Sequence, residues 1–115
     1  MKEANLPMRE PGAAFHAILL PLLEFRVVLG AVLTTPDGLI VSHVGLDQED
    51  AELLAALSVA RQITTYTSLV LGPGRLHTLP GTYVRLVVLT EADAPDNLQD
   101  VLEDHLRQVE EAISV

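Results

Sequence analysis

The chain predicts an α+β sandwich: a five-stranded antiparallel sheet flanked by helices, in the order α-β-β-α-β-β-β-α. Three observations carry that expectation. Two short apolar runs rich in Val, Leu and Ile are joined by Thr35-Pro36-Asp37-Gly38, which supplies the restricted φ and the φ > 0 position of a tight reversal. A capped stretch free of Gly and Pro follows at once, from Gln48 to about Ile63. Three further β-rich runs are then separated by Gly72-Pro73-Gly74 and Pro80-Gly81, before a closing segment with apolar residues at helical spacing.

Residues 1–12 hold Pro7, Pro11 and Gly12 among mixed charges and read as a flexible tail, which leaves residues 13–115 as a single domain. Within residues 13–25, Phe15, Ile18, Leu19, Leu22 and Leu23 share one arc of a helical wheel. Pro21 should disturb that helix, because it lacks an N–H and crowds the preceding turn. Residues 29–34 and 39–43 form the expected hairpin. Asp47 then stands as N-cap of the second helix, with Asp50 as its capping-box partner and Leu46 stapling onto Ala51.

At about 100° per residue, Leu53, Leu54, Leu57 and Ala60 of this helix gather on one side, the expected core face. The other side carries Ala51, Ala55, Ser58, Val59 and Gln62, small or uncharged groups that permit close approach of another helix, with Glu52 and Arg61 beside them. This reads as an intermolecular contact, with a helix buried on both sides within one domain or an alanine-rich exposed face as the alternatives. Residues 65–71, 75–79 and 82–90 read as a three-stranded meander. The last of these is apolar on both faces and is expected at the centre of the sheet, with the others nearer its edges. Asp93 is the expected cap of the final helix, with Pro95 in its first turn and Leu98, Val101, Leu102, Leu106, Val109 and Ile113 as its buried stripe.

Composition narrows the function. Sixteen acidic residues against seven basic ones give a net charge of −9, which repels nucleic-acid phosphates and anionic lipid surfaces. The arginines form no run and have no interleaved aromatics. The chain has no cysteine, which removes disulfides and thiolate chemistry and suits a reducing compartment. The apolar run at residues 17–23 is far shorter than a membrane span and residues 1–12 lack the apolar stretch of a secretion signal, so a cytoplasmic protein is expected, without membrane insertion.

A search for chemistry finds little. Neither G-x-x-x-x-G-K nor G-x-G-x-x-G occurs, and no serine sits in a G-x-S-x-G elbow. His16, His43, His77 and His105 lack the i, i+4 spacing of a helical metal site, although His43 and His77 could share a sheet face. The acidic cluster from Glu91 to Asp104 reads as helix capping and a solvated face, with a docking surface for a basic partner as the alternative. No catalytic residue, metal or cofactor is therefore expected.

The order of elements, with Gly-Ala-Val-Leu-Thr-Thr-Pro-Asp-Gly-Leu-Ile-Val from Gly30 and Asp-Ala-Glu-Leu-Leu-Ala-Ala-Leu from Asp50, resembles the roadblock (dynein light chain) family over about residues 13–113. Longin and profilin-like domains use related layered arrangements. The chain departs from the family pattern in a short second helix and in the strand-favouring Thr64-Thr65-Tyr66-Thr67-Ser68. The resemblance implies a homodimer or heterodimer joined through the second helix and the third strand, which makes Ala51, Glu52, Ala55, Ser58, Val59, Arg61, Gln62, Thr67 and Leu69 the candidate interface, with self-association the expected form. It also implies a non-catalytic scaffold or regulator of a small Ras-like GTPase, as in bacterial regulators of the MglB type. One lysine against six arginines agrees with a bacterial coding bias. The alternative function is a heteromeric scaffold or a sensor holding a small molecule between sheet and helices, with His43, His77 or Tyr83 at its polar end.

Overall fold

The computed structural model describes residues 11–61 and 63–113, with side-chain surroundings from residue 14 onward. The expected tail lies outside the described residues up to residue 10; Pro11 and Gly12 already open helix α1, Pro11–Leu19. Its regularity ends where Pro21 demands it, and the chain continues as a 3-10 helix, Leu20–Glu24, with the proline in its first positions. Phe15, Leu19 and Leu22 are buried along this segment as the wheel predicts.

Strands β1 (Val28–Thr34) and β2 (Ile40–Val44) form the expected hairpin, in register Val32 opposite His43 and Leu33 opposite Ser42. The turn is held by Thr35, whose carbonyl accepts from Gly38 N–H and whose hydroxyl oxygen accepts from Leu39 N–H. Gly38 sits at φ +96°, and a Cβ there would lie 2.6 Å from Val59 Cγ2, so glycine is required by conformation and by space.

Helix α2 (Gln48–Ala60) is followed by β3 (Thr67–Leu71), β4 (Gly74–Pro80), β5 (Arg85–Glu91) and α3 (Leu98–Ile113). The sheet is antiparallel throughout, in the order β2-β1-β5-β4-β3. β5 is central as expected, with Leu86, Val87 and Val88 fully buried. β4 is interior rather than edge-like, since it pairs with both β3 and β5.

Helix α2 stops at Ala60 rather than about Ile63 and β3 starts at Thr67 rather than residue 65, and the starts of β5 and α3 also differ from the sequence expectation. β5 begins at Arg85 because Gly81 N–H donates to the Val84 carbonyl, while Tyr83 and Val84 N–H groups donate to the Glu110 carboxylate of α3. α3 begins at Leu98, not after Asp93: Leu98 N–H closes a turn onto the Pro95 carbonyl, and the Asn97 carbonyl takes the first helical bond, from Val101. A proline-led turn thus stands where capping by Asp93 was expected.

Helices α1 and α3 cover one face of the sheet around Ala31, Leu33, Leu86 and Val88. Helix α2 covers the other, packing Ala51 and Leu54 on Val32, Leu76 and Val87. The architecture is the expected α+β sandwich.

Candidate functional site

The Asp47 carboxylate accepts from Asp50 N–H, which satisfies one orphan donor of the first turn and fixes where α2 starts. Leu46 packs on the same cluster as Ala51, as the staple requires. The face that α2 buries is rotated from the one the wheel suggests: Leu54 is buried as expected and Leu57 packs partly against the same cluster, while Leu53 and Ala60 are exposed. Ala51 at 0% exposure, Ala55 at 2% and Ser58 at 1% lie against the chain's own sheet with Leu54. Leu53 is 59% exposed, Leu57 is half-buried, and Ala56 and Ala60 are exposed.

The cause is steric. Small side chains let the helix backbone come close to the strands, and there Arg85 Nη1 donates to the Ser58 carbonyl. Leucines on that side would hold the helix away and open voids between the layers. Of the residues expected at an interface, Ala51, Ala55 and Ser58 are therefore enclosed within this chain. Glu52, Val59 and Arg61 lie at or near the surface, and Gln62 is outside the described residues.

Strand β3 is the sheet edge beside α2's exposed leucines. Its register places Leu69 opposite Leu76 and Leu71 opposite Gly74, so Thr67, Leu69 and Leu71 share the α2 side of the sheet. Leu46, Leu53, Leu54, Leu71 and Leu89, together with Asp50, line a mainly apolar depression there. As an edge strand, β3 also presents backbone N–H and C=O groups on the side away from β4. Val70, 72% exposed, points to the opposite face. The surface thus combines an apolar strip with an open hydrogen-bonding edge, a pairing that suits strand addition plus helix packing.

The titratable groups are placed structurally. Thr90 Oγ1 donates to the Glu91 carbonyl, so it accepts from His77 Nε2–H at 2.9 Å, and His77 Nδ1 then accepts from the Tyr66 hydroxyl at 2.7 Å. Burial, with the nearby Arg75 guanidinium second, holds His77 below its ordinary value; burial pushes the Tyr66 phenol up. This network ties the chain before β3 to β4 and β5. Sequence reasoning missed it, although a known β3–β4 register would bring Tyr66 toward His77.

His43 does not share a face with His77. It lies opposite Val32 on the α2 side, its ring nitrogens near the Leu46 carbonyl and the Gln48 side chain. Tyr83 is in the β4–β5 connection by Glu110, and the cavities lined by Tyr83 and by His77 are separate. Among the described residues no group of three or more His, Asp or Glu is placed to hold a metal ion, and no helix is long and apolar enough to cross a membrane.

No family model matches the sequence, and no curated protein matches it either. Solved structures do share the fold. A Roadblock/LC7 domain from Streptomyces avermitilis superposes with a TM-score of 0.66 at 29% identity, covering 82% of this chain and 92% of that one. Myxococcus xanthus MglB gives 0.63 at 17% identity, covering 97% and 94%. An MglB with a tetrameric arrangement gives 0.66 at 16% identity, covering 89% and 86%. The roadblock resemblance is borne out, and the fold is the Roadblock/LC7 fold.

Proposed function

We propose that this chain is a non-catalytic adaptor that self-associates through α2 and the β3 edge and, as a dimer, binds and regulates a small Ras-like GTPase in the cytoplasm. The observation that carries the reading is the juxtaposition of the outward Leu53 and the half-buried Leu57 with the open edge of β3 and its Leu69 and Leu71. A twofold axis beside β3 pairs the two edges, joins two five-stranded sheets, and buries each apolar strip under the other copy. Thr67 and Leu69 then sit at the seam. The likeness to MglB structures, one of them tetrameric, supports self-association and a regulatory role.

In this reading the chemistry of hydrolysis belongs to the GTPase. The adaptor acts by stabilising one arrangement of the partner's switch segments, which requires shape and contacts rather than a reactive side chain. Arg61, exposed at the C-terminal end of α2, is the arginine to examine as a contributor to that contact.

The test has two stages. Light scattering on a dilution series is expected to give twice the monomer mass. The dimer then serves as bait for candidate GTPases loaded with GDP or a non-hydrolysable GTP analogue, and preference for one nucleotide state supports regulation. Arg61→Ala is expected to weaken stimulated hydrolysis if Arg61 takes part; unchanged binding and unchanged hydrolysis eliminate it. A monomer at every concentration overturns the dimeric adaptor.

A further inference from the structure

We propose that the groove between the β1–β2 turn and the outer flank of α2 is a second docking site, which takes a protein segment carrying an apolar side chain flanked by lysine or arginine. It lies on the opposite flank of α2 from the leucine strip, so it goes beyond the dimeric reading and does not depend on it.

The first observation is Leu39. A leucine held 66% exposed is costly to solvate and is tolerated without comment on a loose loop, but this turn is fixed on three sides. Thr35 Oγ1 donates to Asp37 Oδ1 and accepts from Leu39 N–H, Thr35 N–H donates to the Leu39 carbonyl, and the tight seat of Gly38 beside Val59 ties the turn to α2. The backbone of Leu39 is therefore held in one place before any partner arrives, which lowers the cost of a contact.

The second observation is the groove beside it, about 590 Å³, whose apolar wall is Leu39, Ile40, Ala56 and Val59 and whose charged groups are Asp37 and Glu52. Glu52 is positioned by Gln48 Nε2, which donates to it at 2.9 Å. Glu49 adds a further carboxylate in the first turn of α2. Among the described residues no lysine or arginine lines the groove. A second copy of this chain would bring acid against acid in a molecule already at −9, so charge selects a basic partner segment, with its apolar residue seated against Leu39 and Val59.

The probe is a phage-displayed library of random twelve-residue peptides panned on the wild-type protein at low salt. Enriched peptides are expected to carry Leu, Ile, Met or Phe flanked by Lys or Arg. The best peptide, synthesised with a fluorophore, should lose about tenfold or more in affinity on Leu39→Ser, on Glu52→Lys, and between about 50 mM and about 500 mM salt. Leu53→Glu, on the other flank, should change its affinity less than about twofold. Amide shift perturbations should map to residues 37–40 and 52–60. Absence of enrichment, a consensus without basic residues, salt-independent binding, or full binding by Leu39→Ser in a protein with wild-type melting overturns the site. Wild-type mass measured in the same samples separates the two proposals, because a monomer that still binds the peptide removes the dimer and keeps the groove.

Discussion

Replacing Leu53 by Glu separates self-association from folding. Leu53 is 59% exposed in the single chain, so a little over half of its side-chain area remains available to a partner. Full burial of a leucine contributes about 1.5–3 kcal/mol, which leaves ~1–2 kcal/mol per copy at the interface. A twofold interface counts the substitution twice, giving ~2–4 kcal/mol before any penalty for enclosing a carboxylate. The dimer dissociation constant should therefore rise by roughly a hundredfold or more. Folding should be nearly untouched, because the new carboxylate replaces a side chain mostly in water. The paired control is Ala55→Glu. Ala55 is 2% exposed against the sheet, and a carboxylate there is buried without a partner, a cost of several kcal/mol against a total of about 5–15. Sedimentation equilibrium with a thermal melt on each variant reads both quantities. Leu53→Glu is expected as a folded monomer with wild-type melting, Ala55→Glu as a protein that unfolds far below it. A folded, monomeric Ala55→Glu beside a dimeric Leu53→Glu would refute the orientation of α2.

Gly38→Ala should destabilise by about 1–3 kcal/mol, from the positive φ and the encounter with Val59, and lower the melting temperature by several degrees. Asp47→Ala removes the α2 cap and should cost about 1 kcal/mol in a urea titration. His77 gives the stability a pH dependence: its folded value lies below the ordinary 6.5, so the unfolded chain binds the proton more readily, and stability is lost as pH falls below about 6.5 toward the folded value. Above that window His77 is neutral in both states and contributes no slope. His77→Gln should flatten that part of the melting-temperature profile, and an unchanged profile would assign the slope to other groups.

What the sequence made legible was set by local chemistry. The Thr35–Gly38 reversal needs only a glycine at positive φ and a side-chain oxygen to hold the turn, and both are adjacent in the chain. The Asp47 cap and the 3-10 segment around Pro21 are equally local. The centre of the sheet was legible because only a strand enclosed on both faces carries Leu86-Val87-Val88-Leu89 without a polar alternation. The starts of β5 and α3 were not, because the first rests on Glu110, which is 26 and 27 residues from the amides it accepts from. The second depends on a turn at Pro95 that propensity alone did not distinguish from a first helical turn.

The rotated face of α2 explains why Ala51, Ala55 and Ser58, expected at an interface, are enclosed within this chain. Apolar groups occur all around α2, so hydrophobicity does not select a side, and side-chain volume decides. The sheet needs a close-packed cover over Val32 and Val87, and alanine and serine supply that approach better than leucine. Spending the small residues inward with Leu54 leaves Leu53 outward and Leu57 half-buried, next to an edge strand that also lacks a neighbour. On its other flank the same helix meets the β1–β2 turn through Val59 and leaves Leu39 exposed above an acidic groove. Three neighbours are thereby served by three sides of one helix: its own sheet by small groups, the proposed second copy by leucines, and the proposed basic segment by Glu52 and Val59. Substitutions on the three sides should be separable in effect, with folding, mass and peptide affinity each responding to one side and not to the other two.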